Sequence, residues 1–118
     1  MKTTTFWGYR RPNGSCGVRN HLLILPTSVC SSEVARRIAA QVPGAVAIPH
    51  SNGCCQMGED YRQTVRTLIG FGVHPNVGAV LVVALGCEGI QPEDAVSYTH
   101  LDVYKRQAGV CAPTLRFE

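Results

Sequence analysis

Three short apolar runs, each followed by a polar loop, constrain the fold of this 118-residue chain more than any other feature. The first is His21-Leu22-Leu23-Ile24-Leu25, ended by Pro26. The second is Ala45-Val46-Ala47-Ile48. The third and clearest is Ala79-Val80-Leu81-Val82-Val83-Ala84-Leu85. Continuous apolar runs of strand length fit strands buried on both faces. Between them the apolar period becomes helical. Val34, Ala35, Ile38, Ala39 and Val42 recur at helical spacing after Ser31 and Ser32, either of which caps a helix well. Glu33 then falls in the first turn, where the dipole favours an acid, and Pro43-Gly44 stops the helix. Tyr61, Val65, Leu68 and Ile69 share one face of a second helix, opened by Glu59 and Asp60 and ended by Gly70 and Gly72. Strand, helix, strand, helix, strand predicts an α/β fold of three layers. Its parallel β-sheet of βαβαβ units has right-handed crossovers and forms a Rossmann-like half-domain, truncated after the third strand.

The rest of the chain sets the limits of that unit. Residues 1–20 hold Gly, Arg and Pro without periodicity and read as a loop with a turn at Pro12-Asn13-Gly14. The βαβαβ unit covers 21–95. Pro92-Glu93-Asp94 looks like the start of a third helix, yet Val96 to Gln107 shows no useful apolar stripe and resembles a translated adaptor or vector junction. Residues 108–118 carry no assignment, and His100 and Cys111 are discounted with them. An apolar content of 45% argues against disorder. The net charge of +3 comes from scattered residues, with no basic stripe interleaved with aromatics, so nucleic acid is not an expected partner. Met1 to Thr5 has no apolar signal segment, and no run approaches the roughly 20 residues of a membrane span. A cytoplasmic protein without a membrane partner is expected.

Six cysteines are many for such a chain. In a reducing compartment, clustered cysteines more often mean metal or redox chemistry than disulfides. Cys30, Cys54 and Cys87 each lie just past one of the three strands. In a parallel sheet those loops emerge at the carboxyl edge, where open α/β folds bind ligands. Three thiolates suit iron, either a cluster with one open iron or a single ferrous ion. The competing reading is that cysteine is simply small and buried. His50, in the loop of Cys54, is a ligand, a general base or a histidine hydrogen-bonded at a strand end. Glu88 accepts a proton, binds metal or caps the following helix. Arg19 and Asn20 precede the first strand. Arg offers a planar fork to a carboxylate and Asn reads hydroxyls, or the two brace the loop. His74, before Pro75, reads as a turn residue, and Cys16 as incidental.

Several of these residues together resemble a known family. Phe6-Trp7-Gly8-Tyr9-Arg10-Arg11-Pro12-Asn13-Gly14, then Gly17-Val18-Arg19-Asn20, is similar to the opening of the second domain of the altronate/galactarate dehydratase family. His50 with Gly53-Cys54, His74-Pro75-Asn76-Val77-Gly78 and Leu85-Gly86-Cys87-Glu88 follow in the matching order, covering about residues 5–95. The resemblance implies a carbon–oxygen lyase, a hydro-lyase that converts a 2,3-dihydroxy sugar acid such as altronate or galactarate to a 2-keto-3-deoxy acid, commonly with iron. It implies Cys30, Cys54 and Cys87 as metal-site residues and Arg19 and Asn20 as substrate-side residues. Chemistry then adds His50 and Glu88 as proton-transfer candidates. The expected partners are a small sugar acid and the remaining domains of a longer parent enzyme, and the chain by itself is expected to be inactive. A sulfolactate sulfo-lyase branch is similar, so the leaving group is open. A non-catalytic metal- or ligand-binding α/β module is the reading from another class. A thiol redox protein ranks last because the chain has no CxxC, and Cys55 beside Cys54 is not placed by the resemblance.

Overall fold

The first apolar run becomes the middle of a sheet. A computed structural model describes residues 4–86, 89–90, 110–111 and 114–115. Its elements are β1 (Thr4–Thr5), β2 (Gly8–Arg10), β3 (Cys16–Gly17), β4 (His21–Pro26), α1 (Val29–Gln41), β5 (Ala45–Ala47), α2 (Gly58–Gly72), β6 (Val77–Val83), β7 (Val110–Cys111) and β8 (Thr114–Leu115). The largest parallel sheet has the order β5-β4-β6, so β4 is flanked on both sides. This is the expected mixed α/β arrangement, with a three-stranded parallel sheet and two helices among the described residues.

Burial follows from that central place. Leu23, Ile24 and Leu25 are all nearly inaccessible, as a strand covered on both faces requires. Side chains alternate across the sheet. Leu23 and Leu25 join Leu68 and Ile90 in one core cluster, with Tyr61, Val65 and Val80 packed against it. That is the α2 face. Ile24 therefore points to the opposite face, where α1 lies against β4 and β5. The register pairs Leu22 with Ala45 and Ile24 with Ala47, so small residues of β5 share the α1 face.

Helix α1 departs from its expected stripe in two ways. The N-cap is Ser28 rather than Ser31 or Ser32, and Ser31 Oγ accepts the Ser28 amide at 3.2 Å. The helix starts earlier because Ser31 and Ser32 are themselves buried against the sheet, both hydroxyls donating to the Ser28 carbonyl. The contact face is thus made of Ser31, Ser32 and Ala35, while Val34 and Val42 stay exposed. Small residues allow a close approach, and the stripe is narrower than its hydrophobicity suggests. Helix α2 keeps its expected face: Leu68 is buried, with Tyr61 and Val65 against the core.

Residues 6–20, expected as a loop, contain two short strands. The expected turn at Pro12-Asn13-Gly14 joins β2 and β3 into a hairpin that pairs Tyr9 with Gly17 and Arg10 with Cys16. Strands of two or three residues are too short to show a period of two. The partner across β2 is β7, about a hundred positions away in the chain, with Tyr9 opposite Val110. The suspected junction at 96–107 lies outside the described residues, as do most of 108–118.

Candidate functional site at the carboxyl edge of the sheet

The loops after β4 and β5 meet the end of β6 at Thr27. Its amide donates to the Val83 carbonyl at 3.1 Å and its hydroxyl to the same oxygen at 3.3 Å, tying the β4 loop to the end of β6. On its other side the β5 loop presses in at Gly53. That residue has φ +91°, and a methyl group there would overlap the Thr27 carbonyl oxygen and stand 2.8 Å from Ser28 Cα. Only glycine accepts both the left-handed conformation and the close approach. The Val29 amide donates to the Asn52 carbonyl at 2.8 Å, which joins the start of α1 to the same loop. After β6, the Tyr61 hydroxyl donates to the Gly89 carbonyl at 2.9 Å, and buried Ile90 enters the core.

Cys30, in the first turn of α1, and Cys54, on the β5 loop, therefore stand on segments in direct contact, and both are exposed. Structural cysteines are ordinarily among the most buried side chains, so exposure of both departs from the packing explanation. Cys87 and Glu88 lie outside the described residues. Among the described residues, no group of three or more His, Cys, Asp or Glu stands close enough to hold a metal ion.

His50 is held from all sides by backbone and a serine. Its Nε2 lies 2.9 Å from the Pro26 carbonyl, its Nδ1 accepts the Asn52 amide at 3.2 Å, and its own amide donates to Ser32 Oγ. A carbonyl only accepts and an amide only donates, so the ring carries its proton on Nε2. This is the geometry of a histidine hydrogen-bonded at a strand end. Proton transfer at Nδ1 would first require the Asn52 amide to leave. His50→Ala removes both ring bonds at once and leaves the Pro26 carbonyl and Asn52 amide without their partner. The expected cost is about 1–3 kcal/mol, read from chemical denaturation followed by circular dichroism.

A cleft of about 390 Å³ opens beside this loop. The loop contributes His50, Asn52 and Gln56, and α2 contributes Asp60, Gln63 and Thr67. Amides and hydroxyls dominate these groups, beside one carboxylate at Asp60. Asn52, Gln56 and Thr27 were not singled out by sequence reasoning. A polar loop gives no signal of which of its amides will line a cavity.

Arg19 and Asn20 stand at the amino edge of the sheet. They precede β4, so the length of the strand separates them from the loops of Cys30 and Cys54, roughly 20 Å at about 3.3 Å per residue. One small substrate does not span that distance. Residues before and after one strand lie at opposite edges of the sheet. Arg19 is held through its main chain. Asn76 Oδ1 accepts the amides of Val18 and Arg19 at 2.9 and 3.1 Å, and Arg11 donates to the carbonyls of Pro75 and Arg19. A methyl at residue 78 would overlap Asn20 Oδ1, so the Asn20 amide lies directly on the start of β6. Partial burial lowers the pKa of Arg11 from its ordinary value, and Tyr9 opposes that shift. The guanidinium also lies 5.7 Å from the Tyr9 ring centroid. His74 closes this turn, its Nδ1 accepting the Asn76 amide at 3.2 Å.

Comparison with known proteins gives a consistent result. The model of the D-galactarate dehydratase/altronate hydrolase family, second domain, matches residues 8–111. The chain is 45% identical over 92 residues to the (2R)-sulfolactate sulfo-lyase subunit beta of Chromohalobacter salexigens, covering 78% of this chain and 22% of that protein. It is 44% identical over 93 residues to the altronate dehydratase of Escherichia coli, covering 70% of this chain and 19% of that enzyme. Against the altronate dehydratase of Bacillus subtilis the identity is 39% over 94 residues, covering 71% of this chain and 19% of the enzyme. The chain thus spans about a fifth of the length of these relatives. No solved structure matches. No helix among the described residues is long and apolar enough to cross a membrane.

Proposed function

The chain belongs to the D-galactarate dehydratase/altronate hydrolase family, in its second domain, and from that premise we propose that it supplies one wall of the active site of a sugar-acid hydro-lyase. The reaction removes water from altronate or galactarate to give a 2-keto-3-deoxy acid. The observation that carries this reading is the junction at Thr27, which holds the start of α1, with Cys30, against the loop of Cys54 and connects them to the end of β6.

Removing a proton α to a carboxylate is difficult, because the carbon acid is weak and the product carries extra charge. Iron at this edge would supply Lewis acidity towards the substrate's carboxylate or departing hydroxyl. The donor chemistry fits, since Cys30 in the first turn of α1 and Cys54 on the adjoining β5 loop are exposed thiols and thiolate is a soft ligand. Cys30, Cys54 and Cys87 would hold the iron. Asn52, Gln56, Gln63 and Thr67 line the adjacent cleft and suit the hydroxyls of a sugar acid. His50 orients the cleft wall through the Pro26 carbonyl and the Asn52 amide. The proton-transfer role falls to Glu88 or to a group supplied by the rest of a longer enzyme. Arg19 and Asn20 serve the amino-edge strap in this reading. A Rossmann-like architecture and a cytoplasmic location complete it.

A second reading rests on the identity to the sulfo-lyase subunit, in which sulfite leaves instead of water. One experiment separates the two. Residues 5–95 replace the matching stretch of the Escherichia coli altronate dehydratase, and the chimera is assayed with altronate, galactarate and sulfolactate. Altronate or galactarate dehydration, lost on Cys54→Ala, is expected. Sulfite release alone would favour the second reading, and a folded chimera with neither activity would overturn both. The 118-residue chain assayed alone is expected to turn over none of the three.

A further inference from the structure

Cys54 and Cys55 form an exposed dithiol whose sulfurs lie 3.8 Å apart. Adjacent side chains in extended backbone point to opposite sides, so two neighbouring cysteines do not ordinarily face one another. Here they do, because Cys55 takes φ +55°, in the left-handed region uncommon for residues other than glycine. The preceding Gly53 is fixed at φ +91° against Thr27, so the turn that aims the two thiols is held by the packing of the β4 loop. Two bonds of about 2.3 Å meeting at a pyramidal trivalent atom place their sulfurs roughly 3.5 Å apart, within a few tenths of an ångström of the observed separation. The observed separation is therefore one that a single soft atom bridges with little rearrangement.

We propose that Cys54 and Cys55 together are a binding site for thiophilic electrophiles and soft ions, with trivalent arsenicals as the chemical class taken most firmly. An organoarsenic oxide condenses with the two thiols. Both S–H bonds and the arsenic–oxygen bond break, two As–S bonds form, and the oxygen leaves with both protons as water. Arsenic stays trivalent, so no oxidant or reductant takes part. Closing a ring on one atom gives the adduct a chelate advantage that a single thiol lacks. Soft thiolate ligands favour such acceptors over hard ones. The site is independent of the iron assignment: it requires Cys55, which that assignment does not use. It also makes Cys54 chemistry sensitive to soft toxicants, because an occupied dithiol withdraws Cys54 from any other partner.

Phenylarsine oxide added to the reduced 118-residue chain tests this, with the adduct followed by intact-protein mass spectrometry. A single adduct is expected that survives washing with a monothiol and is released by a dithiol. Cys55→Ser and Cys54→Ser should each abolish the wash-resistant adduct, while Cys30→Ser and Cys87→Ser retain it. Maleimide labelling of Cys54 in the Cys55→Ser protein, unchanged from the parent, excludes misfolding as the cause. Retention of the adduct in Cys55→Ser, or its loss in Cys30→Ser or Cys87→Ser, would assign the chelate to another pair and overturn the proposal.

Discussion

Gly53→Ala is expected to destabilise the chain by about 2–4 kcal/mol, from a strained backbone together with overlap against a neighbouring main chain. The new methyl meets the Thr27 carbonyl and Ser28 Cα, both backbone atoms on the first turn after the central strand. Neither moves without disturbing the hydrogen bonds from Thr27 to Val83 and from Val29 to Asn52. Gly44→Ala is the matched control. Its φ is +81° but nothing lies within 4 Å of the added methyl, so it carries the conformational cost alone, about 1 kcal/mol. The difference between the two urea midpoints measures how tightly the β4 and β5 loops are pressed together. Circular dichroism is the suitable probe, since Trp7, the sole tryptophan, is 78% exposed and reports little of the core.

Ile24→Ala is the second large effect, with an expected loss of about 2–5 kcal/mol. Ile24 is fully buried at the centre of β4, with strands on both sides and α1 across its face. A domain of this size has only about 5–15 kcal/mol of total stability, so the variant is expected to be partly unfolded at physiological temperature. Val46→Ala provides the contrast. Val46 is paired with Leu23 but sits on the edge strand β5 at 40% exposure, so its truncation should cost under about 1 kcal/mol. Equal losses at the two positions would contradict the central placement of β4.

What the amino-acid sequence disclosed follows from which interactions are local. Leu23, Ile24 and Leu25 read as a strand covered on both faces, and Tyr61, Val65 and Leu68 as a helix face, because burial imposes period on neighbouring residues. Placement of Cys30 and Cys54 at one edge also followed, since every parallel strand ends on the same side. The same rule sets Arg19 and Asn20 at the opposite edge of β4 from the cysteines. The joints themselves were not legible. Gly53 against Thr27, Asn76 across to Val18 and Arg19, and Tyr9 opposite Val110 each join residues distant in the chain through single atoms, which leave no periodic trace. His50 illustrates the same limit, for its residue type suggested proton transfer while its two ring bonds are to backbone groups fixed only by the fold.

The most direct test of a functional carboxyl edge and a structural amino edge is an anaerobic ferrous-iron titration of the 118-residue chain, comparing Cys54→Ser with Arg19→Ala by iron retained per folded molecule. Loss of iron in the cysteine variant with unchanged iron in the arginine variant is the predicted result. Undiminished iron in Cys54→Ser, or equal loss in both, would contradict it.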